Sequence, residues 1–204
     1  MENTSALDLS LNKGVYRILQ DSSILGATSA TEALYKYTCN NFAEPKLHVV
    51  DLGSGSGVLS ILLSLANPDW VITGIEIQPQ LCEIALANAA ELLLKVCYQE
   101  ADIGSYTNPV KYDLVVSNPP WQVVGKGLLS PKRERAICRS EIMCTMASLL
   151  KCCKRNLKPG GQAVLLYPPS RAQELLEKAE QAEFTLRCSI HVDKSCQIFH
   201  LQKD

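Results

Sequence analysis

The feature that most constrains the fold is an alternation between short apolar runs and longer stretches with helical periodicity. Five apolar runs predict β-strands, over residues 47–52, 71–77, 95–102, 112–118 and 162–168. The stretches between and after them predict helices, over 57–66, 79–94, 134–156 and 170–182. Such alternation is typical of a parallel sheet with helices on both faces and right-handed crossovers, so we predict an α/β fold.

The C-terminal end of the chain departs from this alternation. Residues 184–191 and 195–202 both have the pattern of strands, and only three residues separate them. A parallel crossover needs roughly a dozen residues or more, so these two strands must pair as an antiparallel hairpin. We therefore expect a mostly parallel sheet that ends in an antiparallel hairpin.

A chain of 204 residues predicts one domain, because it is long enough to bury a core and contains no internal repeat or linker. The first 45 residues are expected to form one or two helices over an edge of the sheet, and residues 46–204 to form the core. No apolar stretch approaches the roughly 18 to 20 residues of a membrane span, and the N-terminus lacks a signal-peptide layout. These features predict a cytoplasmic protein without a membrane partner.

The nine cysteines are expected to be reduced and buried rather than to form disulfides or bind metal. Their number is odd, no C-x-x-C occurs, and most of them lie within apolar helix or strand patterns. The three histidines, His48, His191 and His200, are scattered in strand-like segments and suggest neither a metal cluster nor a catalytic triad. We therefore predict no metal site.

A glycine-rich loop follows the first predicted strand. Asp51 ends that strand, and Gly53, Gly55 and Gly57 come directly before a predicted helix. Glycines allow a sharp turn and let a ligand approach the backbone beside a helix N-terminus, and ligands of open α/β sheets bind outside the carboxyl ends of the strands. The dinucleotide fingerprint G-x-G-x-x-G fails, because its third glycine would fall at Val58. A tight turn without a ligand is the alternative.

Acidic residues end the next two strands as well. Glu76, followed by Ile77, ends the second strand, where a carboxylate can accept hydrogen bonds from both hydroxyls of a ribose. That role suits either NAD or S-adenosylmethionine. Asp102 ends the third strand and can accept from an adenine amino group, with Ile103 packed on the ring, although Asp is equally typical of a helix N-cap. Three acidic strand ends in succession favour an adenosyl ligand.

The fourth strand ends in residues 118–121, the NPPW segment. Together with D-x-G-x-G-x-G at 51–57, Glu76 and Asp102, this segment resembles the amino-group branch of the Rossmann-like S-adenosylmethionine-dependent methyltransferases. The resemblance covers roughly residues 45–204. It implies a seven-stranded sheet of order 3-2-1-4-5-7-6 with strand 7 antiparallel, and an N-terminal segment that covers the cofactor edge.

The same resemblance implies a cofactor and the residues that hold it. The cofactor would be S-adenosylmethionine, and the product S-adenosylhomocysteine. The implied cofactor contacts come from Asp51, Gly53, Ser54, Gly55, Gly57, Glu76, Ile77, Asp102, Ile103 and Asn118.

Within that branch, residues 130–176 are similar to the bacterial tRNA1(Val) adenine-37 N6-methyltransferases, and residues 15–27 look like the entry motif of that family. Two features depart from the pattern. Trp121 stands where Tyr or Phe is usual, and the stretch after the second strand is short. The resemblance therefore implies methylation of adenine N6 in tRNA, with the reaction type more firmly indicated than the target.

The NPPW segment has the groups that amine methylation needs, and we predict that Asn118, Pro119, Pro120 and Trp121 are its catalytic residues. The lone pair of an exocyclic adenine nitrogen is delocalised into the ring, and two acceptors for the amino hydrogens would localise it. Asn118 offers its side-chain oxygen and Pro119 its carbonyl, whose direction Pro120 fixes by restricting Pro119 to an extended conformation. Trp121 offers a stacking face worth about 1–3 kcal/mol for a base. The alternative is a strand that ends at prolines before a buried Trp.

Charge is distributed unevenly along the chain. The net charge is −1, but residues 125–158 contain nine Lys and Arg against two Glu, so this stretch carries +7 and the remainder −8. A continuous helix over 134–156 would be about 34 Å long and would carry Lys151, Lys154 and Arg155, with Lys158 beyond them, to the far edge as a solvated end. The cations expected near the site form a phosphate footprint for RNA, with no DNA expected: Lys126, Lys132, Arg133, Arg135 and Arg139.

Three other functions remain open at this level. A glutamine N5-methyltransferase acting on a translation release factor would carry the same motifs, and residues 27–34 are similar to its entry segment. Methylation of another RNA base is the second. The third is a non-catalytic module that binds an adenosyl ligand, against which Asn118 argues because such a module needs no reactive acceptor.

Overall fold

The computed structural model describes residues 4–11, 14–21, 29–121 and 144–204. The elements follow one another along the chain as β1 (Thr4–Leu11), β2 (Gly14–Asp21), α1 (Ser29–Asn41), β3 (His48–Leu52), α2 (Val58–Ala66), β4 (Val71–Glu76), α3 (Pro79–Glu91), β5 (Val96–Glu100), β6 (Tyr112–Ser117), α4 (Met146–Asn156), β7 (Leu157–Tyr167), α5 (Ala172–Gln181), β8 (Phe184–His191) and β9 (Gln197–Lys203). A short 3-10 turn, Pro169–Arg171, precedes α5.

Seven strands form one sheet in the order β5-β4-β3-β6-β7-β9-β8. Counted from β3 as the first strand, this order is 3-2-1-4-5-7-6, as expected. Neighbouring strands from β5 to β7 are parallel, and β9 is antiparallel to both β7 and β8. The predicted α/β class, the Rossmann-like strand order and the C-terminal antiparallel hairpin are therefore confirmed.

Both faces of the sheet are covered by helices. Val49 packs with residues of α1, α2 and α3, whereas its neighbour Val50 packs with residues of α4 and α5. Successive side chains of a strand point to opposite faces, so a central strand that is buried on both faces reads as a continuous apolar run. This explains why β6 has Leu114, Val115 and Val116 in succession, all without exposed surface.

The N-terminal part differs from the expected helices. β1 and β2 pair as an antiparallel hairpin, and among the residues described before the seven-stranded sheet only Ser29–Asn41 is helical. The physical reason is visible in the sequence, where Leu7, Leu9 and Leu11 alternate with polar residues. A period of two specifies a strand rather than a helix, so the prediction of an all-helical N-terminal segment was wrong for residues 4–11 and 14–21.

Helix α4 begins later than predicted. Thr145 is extended, with φ −83° and ψ 157°, and its hydroxyl oxygen accepts a hydrogen bond from the Ser148 N–H at 3.1 Å. This is an N-cap, which starts a new helix, so a continuous helix over 134–156 is wrong at residues 144–145, and 134–143 lie outside the described residues. The described helix is about 16 Å long.

Most of the described cysteines lie in the interior, as expected. Cys82, Cys144, Cys152, Cys153 and Cys196 are buried, and all the described cysteines have free thiols. Cys97 is exposed on the edge strand β5, so the expectation of a buried thiol was wrong there. In the described part of the chain, no helix combines the length and the apolar character needed to cross a membrane.

Candidate functional site

The candidate site lies at the carboxyl ends of β3, β4 and β6, where the glycine loop (residues 53–57) leaves the sheet. The backbone N–H groups of Gly53 and Ser54 both donate to the carbonyl oxygen of Ile75, at 2.8 and 3.0 Å. The Ser117 hydroxyl donates to the carbonyl oxygen of Leu52 at 2.6 Å. The ends of these three neighbouring strands are thus joined by hydrogen bonds just where the loop turns.

The loop glycines have left-handed backbone conformations for which a side chain would be strained. Gly53, Gly55 and Gly57 have φ angles of +78°, +56° and +84°. A Cβ at Gly55 would meet nothing within 4 Å, and one at Gly53 only the Ile103 side chain at 4.0 Å. A Cβ at Gly57 would instead press on the Tyr98 ring, so Gly53 and Gly55 leave open surface for a ligand while Gly57 is required for packing.

Ser54 differs from its glycine neighbours in facing the protein interior. Its hydroxyl is buried without a hydrogen-bond partner among the described residues, and it lies 2.9 Å from the position that a Cβ at Gly74 would take. The side chain therefore faces β4.

Glu76 organises the loop through its carboxylate. One oxygen accepts from the Gly55 N–H at 2.9 Å, and the other accepts from the N–H groups of Ile77 and Gln78, each at 3.0 Å. Burial raises the pKa of Glu76, while these three donors oppose the shift. The Gln78 side chain adds a further hydrogen bond to this carboxylate, so Glu76 joins the glycine loop to the end of β4.

Asp51 lies beneath the loop and is almost completely buried, with 1% of its surface exposed. The Ser60 hydroxyl on α2 donates to its carboxylate at 2.6 Å. Burial raises the pKa of Asp51 to about 7, Ser60 opposes the shift, and the nearby Glu76 adds to it. The side chain thus links the end of β3 to α2 and carries a proton that is poised near neutrality.

Asp102 and Ile103 follow β5 and form a tight turn. Asp102 is exposed and accepts the Gly104 N–H through Oδ1 at 2.8 Å, while its carbonyl oxygen accepts from Ser105 and Tyr106. Ile103 is buried and lies beside Gly53. Asp102 therefore caps this turn, and the end of β5 is brought next to the glycine loop.

The NPPW segment lies directly after β6. Asn118 is half-buried, and its amide nitrogen is 3.4 Å from the Thr31 hydroxyl oxygen on α1. Pro119 is buried and Pro120 partly so, whereas 39% of Trp121 is exposed. The alternative of a buried Trp after a proline-terminated strand is thus wrong, and an aromatic face is available at the edge of the site.

The methyltransferase small domain family matches residues 28–179, which contain the glycine loop, Glu76, Asp102 and the NPPW segment. The chain belongs to this family. The expectation of a Rossmann-like S-adenosylmethionine methyltransferase domain is confirmed by that match and by the fold.

Curated relatives of the domain carry two different target names. The tRNA1(Val) (adenine(37)-N6)-methyltransferase of Aliivibrio salmonicida is 30% identical over 147 residues, which are 70% of this chain and 61% of that protein. The release factor glutamine methyltransferase of Streptococcus pneumoniae is 32% identical over 101 residues, 50% of this chain and 36% of that protein. The chain spans between 52% and 61% of the lengths of five relatives with the tRNA name.

A solved structure with the same fold is the 16S rRNA N2 G1207 methyltransferase of T. thermophilus, in complex with AdoMet and guanosine. It superposes with a TM-score of 0.72 over 98% of this chain and 51% of that one, at 17% identity. At this identity the likeness concerns the fold.

Two residues of the methyltransferase domain near the NPPW segment were not predicted. Thr31 contacts Asn118, and Arg171 donates to the Trp121 carbonyl oxygen at 3.0 Å. Glu174 holds the Arg171 guanidinium at 2.8 Å. Both contacts join distant parts of the chain, so no local pattern marks them, although Thr31 lies in the segment that is similar to the release-factor enzymes.

The predicted phosphate footprint lies outside the described residues: Lys126, Lys132, Arg133, Arg135 and Arg139. The cations expected at the far edge of the methyltransferase domain are largely engaged. Lys154 pairs with Glu183 at 3.0 Å and Lys158 with Asp113 at 2.7 Å. Arg155 donates to the carbonyl oxygens of Ile103, Gly104 and Tyr106, so it holds the turn after β5 instead of forming a solvated end.

Proposed function

We propose that this domain is an S-adenosylmethionine-dependent methyltransferase that methylates an exocyclic amine, and that its target is adenine N6 in tRNA. The observation that carries the proposal is the placement of Asn118. Its amide nitrogen is engaged by Thr31, so the amide oxygen is the atom that remains for an incoming amino group. The curated relatives named for tRNA adenine N6 methylation support this choice of target.

The glycine loop and the two acidic strand ends fit the cofactor. The open surface at Gly53 and Gly55 allows close approach to the backbone, the Glu76 carboxylate beside the loop suits a ribose hydroxyl, and exposed Asp102 suits an adenine amino group. When bound, S-adenosylmethionine supplies an electrophilic methyl group on a sulfonium centre. Asp51 would support the loop from below, since its carboxylate is buried against Ser60.

The NPPW segment then acts on the acceptor amine. The Asn118 oxygen and the Pro119 carbonyl accept the two amino hydrogens, which draws the nitrogen lone pair out of conjugation and stabilises the positive charge that develops on it. Pro120 holds the Pro119 carbonyl in one direction, and the exposed face of Trp121 stacks on the base. Positioning of the amine in line with the methyl group supplies much of the rate enhancement.

The target base has to leave its stack to reach this edge of the sheet. Unstacked bases are available in single-stranded RNA loops, where extrusion requires little free energy. The five cations of the predicted footprint would hold the phosphates on either side of such a loop.

The direct test is methyl transfer from labelled S-adenosylmethionine to total tRNA, followed by nucleoside analysis. We expect labelled N6-methyladenosine with the wild-type protein and at least a hundredfold slower transfer with Asn118→Ala, because one of two acceptors is lost. Equal transfer by Asn118→Ala would refute the proposed mechanism and favour a module that only binds the cofactor. A different nucleoside labelled at an exocyclic amine would support the proposed reaction and replace adenine by another target base.

A release-factor glutamine is the second candidate, because an amide nitrogen also needs its lone pair localised. The relative from Streptococcus pneumoniae carries that name, and Thr31 lies in the matching entry segment. A release factor can be added to the same assay. If it becomes labelled and the tRNA does not, the glutamine target replaces the tRNA target.

A further inference from the structure

Asn88 on α3 joins three parts of the chain through one buried side chain. Only 1% of its surface is exposed. Its amide oxygen accepts from the Leu19 N–H at 2.6 Å, and its amide nitrogen donates to the Leu19 carbonyl oxygen at 2.8 Å and to the Ser56 carbonyl oxygen at 3.1 Å. Both amide hydrogens are therefore used, one by the N-terminal hairpin (β1 and β2) and one by the glycine loop.

A second contact fixes the hairpin to the same region. Ile18, next to Leu19 on β2, is 1% exposed and packs with Val58, Ile61 and Leu62 of α2. Helix α2 begins directly after the glycine loop. The hairpin is thus attached to the loop by a polar contact through Asn88 and to the following helix by an apolar one.

The carbonyl that Asn88 holds is in the middle of the glycine loop, next to the open surface at Gly55. Ser56 stands between Gly55 and Gly57, both with left-handed backbones. The Gly55 N–H donates to Glu76, and the Gly57 N–H donates to the Ser54 carbonyl oxygen at 2.9 Å. A rotation of the peptide between Ser56 and Gly57 would move the Gly57 N–H and disturb its hydrogen bond to Ser54, so the turn of the loop depends on the Asn88 contact.

We propose that Asn88 is a positioning residue that couples docking of the N-terminal hairpin to the ligand-binding shape of the glycine loop. The inference rests on placement of the cofactor at that loop, and it does not depend on the acceptor substrate. Coupling between two binding events is reciprocal. A docked hairpin therefore strengthens binding of an S-adenosyl ligand, and the ligand in turn holds the hairpin in place.

The test compares two asparagines that donate to backbone carbonyls near opposite ends of α2. Asn88→Ala removes the link at the loop, and Asn67→Ala removes a bond to the Leu63 carbonyl oxygen at the C-terminal end. Binding of S-adenosylhomocysteine is measured by calorimetry, and Tm without ligand. We expect both variants to lower Tm, Asn88→Ala to weaken binding about tenfold, and Asn67→Ala to change it less than twofold.

Hydrogen exchange supplies a readout that a merely structural role would not alter. Saturating S-adenosylhomocysteine should slow exchange of the amides in residues 14–21 of the wild type and of Asn67→Ala. In Asn88→Ala the ligand, also at saturation, should leave exchange of this segment unchanged. Loss of ligand-dependent protection in Asn88→Ala alone supports the coupling.

Two results would overturn the proposal, and a loop variant distinguishes their meaning. Unchanged affinity in Asn88→Ala, with binding lost in Gly55→Ala, would refute the coupling alone. Unchanged affinity in both variants would refute the placement of the cofactor at the loop and the coupling with it. Neither result bears on the tRNA target, because the assay contains no acceptor substrate.

Discussion

At the scale of single residues, the orientation of one amide decides whether the NPPW segment can accept an amine. The planar amide of Asn118 has an oxygen at one edge and a nitrogen at the other, and the nitrogen faces the Thr31 hydroxyl at 3.4 Å. A rotated amide would present N–H groups to the amine, which has no acceptor to spare. In the proposed mechanism Thr31 therefore orients Asn118, a role that its position 87 residues earlier in the chain does not suggest.

Thr31→Val removes the hydroxyl while keeping the shape of the side chain. We expect kcat to fall about tenfold, which corresponds to ~1.4 kcal/mol and to the loss of one hydrogen bond, with affinity for S-adenosylhomocysteine unchanged. Thr31→Ser, which retains the hydroxyl, should restore most of kcat. Equal kcat in the Val and Ser variants would contradict a role of the hydroxyl in orienting Asn118.

Asp51 predicts a pH dependence of stability. Burial raises its pKa from 3.8 to about 7, so the folded state binds this proton more tightly than the unfolded state. The contribution of the group to stability is then greatest below about pH 4 and is lost as the pH rises to about 7. Asp51→Asn should raise the free energy of unfolding by up to about 4 kcal/mol at pH 8. Near pH 4 the same substitution should have little effect. Urea unfolding at both pH values measures this, and a difference that is independent of pH would count against it.

At the scale of elements, the sequence was most informative where one local signal dominated. The central strands were predictable because burial on both faces leaves continuous apolar runs such as residues 114–116. The start of α4 was missed because the apolar periodicity runs through Thr145, whereas the structure has a new helix that begins there with Thr145 as its N-cap. The N-terminal hairpin of β1 and β2 was not predicted, although the alternating Leu7, Leu9 and Leu11 indicate a strand. Contacts such as Asn88 to Ser56 join distant elements and have no local signature.

The glycine loop offers a matched pair of substitutions that separates folding from ligand binding. Gly57→Ala should lower the free energy of unfolding by about 3 kcal/mol, because a left-handed φ is strained and the new Cβ presses on Tyr98 and Ala85. Gly55→Ala should lower it by only about 1–2 kcal/mol, since its Cβ meets open space, yet should abolish binding of S-adenosylhomocysteine. Chemical denaturation and calorimetry measure the two effects. Similar losses of stability in both variants would contradict the distinction.

At the scale of the whole molecule, the sheet order gathers the predicted site residues at one edge. Asp51, Glu76, Asp102 and Asn118 end four strands that are neighbours in the sheet although they span much of the sequence. Their convergence was predictable because parallel strands share a carboxyl edge. The positive charge of residues 125–158 follows directly on the NPPW segment, and the described cations of its second half are mostly engaged by the protein itself. The RNA binding that we propose therefore depends on the first half of that stretch.

The cations that follow the NPPW segment can be separated experimentally from lysines elsewhere on the surface. Replacing Lys132, Arg133 and Arg135 by Gln should weaken tRNA binding at least tenfold and reduce the slope of log K against log salt by about 2–3, since each phosphate contact contributes about 0.7–0.9. Replacing three exposed lysines elsewhere by Gln, at Lys95, Lys151 and Lys194, changes the net charge equally and should leave the slope nearly unchanged. Filter binding over a salt series measures both. Equal slopes in the two triple variants would show that tRNA responds to net charge, and the phosphate footprint next to the NPPW segment would then be refuted.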